Sequence, residues 1–159
     1  MVNAASSASI RRFFWPPAPI SLIMAKAMPP LPIPNPDTES FWKGSARGQL
    51  LLQRCTSCSA YRHPPSPLCQ ECLSMDHEWV AAQGRGTVYS FVVVHQSLRG
   101  EAFHVPYVVA VIELAEGPHM LSNVEGSPIE KVAIGMPVQV FFERVNDEIS
   151  LPKFKPVEV

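Results

Sequence analysis

The chain has 159 residues, of which 47% are hydrophobic and 17% charged, with a formal net charge of -1. That length holds one ordinary domain, or a small metal module and a second domain of roughly 80 residues. So balanced a charge excludes a strongly basic, nucleic-acid-coating protein.

Residues 1–36 hold eight of the 17 prolines and three basic side chains with no acidic one. Apolar periodicity never survives more than a few residues there, so the composition predicts a disordered Pro-rich tail, or an upstream extension of a chain whose translation starts at Met24 or Met28. Arg11-Arg12-Phe13-Phe14 resembles the start of an export signal, but Trp15-Pro16-Pro17 interrupts it where an apolar helix should begin. The run from Ile20 to Met28 is too short and too broken to span a bilayer.

At Asp37 the character changes. Asp37-Thr38 predicts an N-cap for a short helix through Glu39-Ser40-Phe41-Trp42-Lys43, ended by Gly44. Phe41 and Trp42 are its anchors, read as core contacts, with an aromatic edge offered to a partner chain as the competing reading. A short apolar strand, Gln49 to Gln53, then leads to Cys55-Thr-Ser-Cys58, and ten residues separate this pair from Cys69-Gln-Glu-Cys72. These four are the chain's only cysteines. Two C-x2-C turns facing each other supply four soft ligands to a tetrahedral ion, and a site filled by four sulfurs leaves no open position for substrate. The pattern therefore predicts a structural zinc ribbon over residues 37–83 with Cys55, Cys58, Cys69 and Cys72 as ligands. An all-thiolate tetrahedron accepts iron as well as zinc. A redox dithiol would need a thioredoxin-like strand-helix context, and paired disulfides would need an oxidising compartment. Glu78-Trp79-Val80 reads as the strand leaving the second turn.

Gly84-Arg85-Gly86 reads as a hinge or tight turn, after which residues 84–159 have a β pattern. Strands are predicted at Thr87 to His95, Tyr107 to Leu114, His119 to Val124, Val138 to Val145 and Ile149 to Phe154. Ser127 to Val132 reads as a capped helical turn ended by Gly135. Five strands with a helix between the third and fourth is the order of an OB-fold barrel, so the fold class is mainly β. The aromatics Tyr89, Phe91, Phe141 and Phe142 fall within strand patterns and are assigned to the core.

Several motifs together are specific. Phe41-Trp42, the two C-x2-C pairs flanking Pro64-Pro65, Gly84-x-Gly86-Thr87-Val88-Tyr89-Ser90, Pro106-Tyr107-Val108-Val109, Gly135-Met136-Pro137-Val138 and Pro152-x-Phe154-x-Pro156 resemble the family catalogued as domain of unknown function 35. The resemblance covers about residues 37–159, with Ser59 where the family usually has Gly and Ser66 in place of a common Arg. It implies a rubredoxin-like zinc ribbon joined to an OB-fold. It also implies a cytoplasmic, non-catalytic partner, in a hetero-oligomer, of thiolase-like or hydratase enzymes acting on acyl-CoA, as in steroid and aromatic degradation or archaeal isoprenoid synthesis. On that reading Phe41, Trp42 and Arg99, the last in the long Gln96–Val105 segment, are the candidate CoA or partner contacts, and acyl-CoA is a candidate ligand.

Two other functions compete. Single-stranded nucleic-acid binding needs a basic groove, whereas residues 84–159 carry six basic against nine acidic side chains, net -3. An independent enzyme needs a catalytic constellation, and His63, His77, His95, His104 and His119 are scattered along the chain with no paired carboxylates at evident spacing.

Overall fold

The computed structural model describes residues 30–97 and 103–157. The Pro-rich tail up to residue 29, and Arg99 with it in the segment 98–102, lie outside the described residues.

The entry to the helix is built by Asn35 and Thr38. Asn35 Oδ1 accepts from the Thr38 amide at 2.9 Å, and Thr38 Oγ1 accepts from the Asn35 amide at 3.0 Å. With its hydroxyl engaged backwards, Thr38 occupies the N-cap position of α1 (Glu39–Ala46) without a side-chain bond to the helix, contrary to the predicted cap. Nor does Gly44 end the helix. It lies inside α1 and is buried, and a Cβ there would sit 2.6 Å from Leu51 Cγ, so glycine is needed for close approach to the next strand. The helix stops at Gly48, where φ is +74°, with the amides of Gly48 and Gln49 donating to the carbonyls of Ser45 and Gly44 at 2.9 Å each. This is a Schellman closure, which needs the left-handed residue that glycine supplies without penalty.

Three short strands follow: β1 (Leu51–Cys55), β2 (Tyr61–Arg62) and β3 (His77–Ala81), in the antiparallel order β2-β1-β3. Leu52 and Gln53 are both buried although they point to opposite faces of β1, Leu52 in the core cluster and Gln53 against Ser66 and His77.

The remaining strands are β4 (Arg85–Val94), β5 (Tyr107–Leu114), β6 (His119–Val124), β7 (Pro137–Arg144) and β8 (Ser150–Pro156). They close into a barrel in the order β4-β5-β6-β8-β7, with β7 returning to β4. The one parallel contact pairs Val124 of β6 with Phe154 of β8. This is the five-stranded OB connectivity expected from the strand order. Alternation on β5 sends Val108, Ala110, Ile112 and Leu114 inward to meet Val88, Val138 and Phe154. Fully burying each of the larger side chains stabilises the barrel by about 1.5–3 kcal/mol. Between β6 and β7 a 3-10 turn (Ile129–Lys131) takes the helical slot, but Pro128 stands at its N-cap and no side chain caps it.

Two expectations change here. The register between β4 and β5 slips between Val88 and Ser90, which places Tyr89 on a bulge. Next to inward-facing Val88, its ring points out of the core, is 55% exposed, and lies 4.5 Å from the His119 ring. Phe91 and Phe142 do pack against the core, and Phe141 is half-buried. The junction at Gly84-Arg85-Gly86 is no free hinge either. Arg85 and Gly86 already pair with Gln139 and Val138 of β7, and the Gly84 carbonyl accepts from the Val140 amide at 2.8 Å. Phe41, Leu50 and Leu52 join the barrel residues in one continuous hydrophobic cluster.

Candidate metal centre

Each cysteine pair sits on a tight turn, and the two turns repeat the same local chemistry. In the first, the Cys55 amide donates to the Ala60 carbonyl and the Ser59 amide donates to the Cys55 carbonyl, both at 2.9 Å. In the second, the Cys69 amide donates to Ser74 and the Leu73 amide to Cys69, at 2.9 and 3.0 Å. The residue after each second cysteine is left-handed, with φ of 63° at Ser59 and 61° at Leu73. That explains why glycine suits position 59, and shows that Ser59 keeps the turn geometry. Cys55 and Cys69 are buried while Cys58 and Cys72 are exposed, so the first cysteine of each pair faces inward and the second outward.

The four Sγ atoms lie within 4.8 Å of one another. The short separations, 3.6 Å each, run between knuckles, Cys55 to Cys72 and Cys58 to Cys69. Sulfurs about 2.3 Å from a tetrahedral zinc stand about 3.8 Å apart, so the quartet fits the ion. No disulfide joins any two of them.

Sharing of protons inside the quartet splits its acidities. Amides of Cys58 and Ser57 favour the Cys55 thiolate and hold it down at about 6 despite burial. Cys69 is likewise lowered, chiefly by the amides of Cys72 and Glu71. Although the Ala60 amide pulls the other way, hydrogen bonding to Cys72 and Cys69 together with burial pushes Cys58 up to about 12. A divalent cation would replace the protons left on the exposed pair.

A residue that sequence reading passed over supports the knuckles. Gln53 is 1% exposed; its Oε1 accepts from the Ser66 amide at 2.8 Å, and its Nε2 lies 3.1 Å from His77 Nε2. His77 Nδ1 lies 3.1 Å from the Met75 carbonyl, so the proton belongs on Nδ1 and Nε2 accepts from Gln53. One amide thus ties β1 to the proline-rich linker and to the first residue of β3. Its only signal in sequence is a polar side chain within an apolar strand next to a ligand.

Phe41 and Trp42 meet edge to face at 5.0 Å. Phe41 is in the core, whereas half-buried Trp42 lines two clefts between α1 and the barrel, of about 480 and 290 Å³. His63 borders the smaller cleft with its ring 5.3 Å from Phe41, and burial pushes it down to about 4, so it is neutral. The other histidines do not converge: His95, His104 and His119 are exposed. Barrel cations are partly neutralised, Lys153 by Glu125 and Glu143 at 2.6 Å each and Arg144 by Asp147 at 2.7 Å, which leaves little of a basic groove.

Residues 42–78 match the family described as "ChsH2, rubredoxin-like zinc ribbon domain", and residues 79–143 match "ChsH2, C-terminal OB-fold domain". A "DUF35 domain-containing scaffold protein" of Methanocaldococcus jannaschii is 33% identical over 116 residues, spanning 69% of this chain and 82% of that one. The chain belongs to the DUF35 family. Within it, a "probable enoyl-CoA hydratase alpha subunit" of Thermomonospora curvata is 40% identical over 82% of this DUF35 chain. This chain spans only 41% of that relative's length. A solved structure described as "Ltp2-ChsH2(DUF35) aldolase" superposes with a TM-score of 0.73 at 40% identity, covering 79% of this chain and 98% of that one.

Proposed function

We propose that this DUF35 chain is a non-catalytic accessory subunit, cytoplasmic, that assembles with a thiolase-like or hydratase protein acting on acyl-CoA substrates. The observation that carries the reading is the near-complete match to the DUF35 chain of an aldolase complex. Relatives named as hydratase subunits and scaffold proteins support it. In this reading Cys55, Cys58, Cys69 and Cys72 hold a structural zinc, and four thiolates leave that ion no coordination position for a substrate. Residues 37–83 form the ribbon module and 84–159 the barrel module. Trp42, at the edge of both clefts between them, is the contact for the partner or for the CoA arm, with buried Phe41 holding it in place. No helix among the described residues is long and apolar enough to cross a membrane.

Co-expression with a thiolase-like protein from the same genome should give one complex on a sizing column. Separate elution at micromolar concentration, with the enzyme's turnover of acyl-CoA unchanged by adding this chain, would reject the assignment.

A further inference from the structure

The two knuckles share one backbone design but not one surface. Around the first, the exposed residues are Thr56, Ser57 and Ser59, all polar. Around the second stand Leu68, Leu73 and Met75, which are 45%, 72% and 68% exposed. Leu73 is the sharpest case. It occupies the left-handed position that Ser59 fills on the first knuckle, with φ of 61° against 63°. A branched apolar side chain there meets backbone strain and contact with water together, and the fold needs neither, since glycine or asparagine would serve the turn better. Exposed apolar side chains gathered within eight residues mark a surface that is covered in use.

The charge around this knuckle narrows what covers it. Residues 68–78 carry Glu71, Asp76 and Glu78 and no lysine or arginine. Arg54 engages Glu78 at 3.4 Å, which leaves Glu71 and Asp76 exposed beside the apolar side chains. An anionic membrane or a nucleic acid would be repelled by such a rim. We infer that the second knuckle is a docking surface for a protein partner presenting an apolar pocket rimmed by lysine or arginine. The inference rests on the accessory-subunit reading and assigns to it the side of the ribbon that meets the enzyme. Leu73 is the central anchor, Leu68 and Met75 flank it, and Glu71 and Asp76 orient the approach.

The test uses the full chain and the thiolase-like protein with which it assembles. Leu73→Asn paired with Met75→Ser keeps a residue that tolerates the left-handed turn; zinc content and melting temperature should stay at wild-type values while affinity for the partner falls roughly tenfold or more. Ser59→Asn, the same change of backbone position on the other knuckle, should leave affinity unchanged. Glu71→Gln with Asp76→Asn should slow association and flatten its dependence on salt. Wild-type affinity in the Leu73→Asn, Met75→Ser chain, with the complex still forming, overturns the docking surface and leaves the accessory role standing. Failure of the wild-type chain itself to bind overturns that role and the inference together. Self-association of the isolated wild-type chain that the double variant abolishes overturns the heterologous partner in favour of a second copy.

Discussion

His63 and Ser59 show how single side chains record their surroundings. Burial against Phe41 pushes His63 down to about 4, well below an ordinary imidazole near 6.5. Between those values the unfolded chain takes up a proton that the folded chain refuses. Stability therefore falls as pH drops from about 6.5 towards 4, by an amount on the order of 1–2 kcal/mol by pH 5. His63→Phe should flatten that limb, read as a smaller fall in melting temperature between pH 7 and pH 5 than in the wild type. Equal slopes would show that the imidazole is not shielded. Ser59, held at φ of 63°, is strained where glycine would not be. Ser59→Gly should add about 0.5–1 kcal/mol in denaturant unfolding, and a loss of stability would contradict the left-handed turn. Position 59 stood out in the sequence as a departure from the family. Its counterpart Leu73, the residue after the second cysteine of the other pair, did not, because the strain there shows only in its backbone angle, φ of 61°.

Among the elements, every strand but the two-residue β2 was legible and most boundaries fell within one or two residues, because alternating β-branched side chains signal a strand locally, whereas Tyr61–Arg62 is too short to alternate. Tyr89 was misplaced because it follows inward-facing Val88 and alternation turns it outward, while the bulge shifts only the residues beyond it and brings Phe91 back to the core. The helix ended beyond Gly44 for a related reason. Glycine was read as a local stop, but its purpose is long-range, to admit Leu51 against the helix backbone. Gly44→Ala should consequently lower stability by about 1 kcal/mol although alanine favours helices. In a Leu51→Ala background the same change should become neutral or stabilising, as unfolding of the four proteins of this cycle would report. Unchanged destabilisation in that background would place the conflict elsewhere.

For the molecule as a whole, ribbon and barrel share one hydrophobic cluster, so the metal centre and the barrel should not melt independently. Zinc in small peptides contributes about 10 kcal/mol or more to folding, as much as many domains possess in total. Cys55→Ser is therefore expected to release the ion and to lower the melting temperature of the barrel as well, in one calorimetric transition. A barrel that melts at its wild-type temperature in the metal-free variant would make the two modules independent. The sequence by itself determined the four-cysteine zinc-ribbon pattern, the order of the five barrel strands and the family, because turn spacing and side-chain alternation are short-range properties written in consecutive residues. Only the tertiary structure decided that the four sulfurs converge within 4.8 Å of one another, that Gln53 clamps the linker, and that Phe41, Leu50 and Leu52 belong to the barrel's core. Those depend on packing between segments distant along the chain, which leaves no mark on the residues nearest to each.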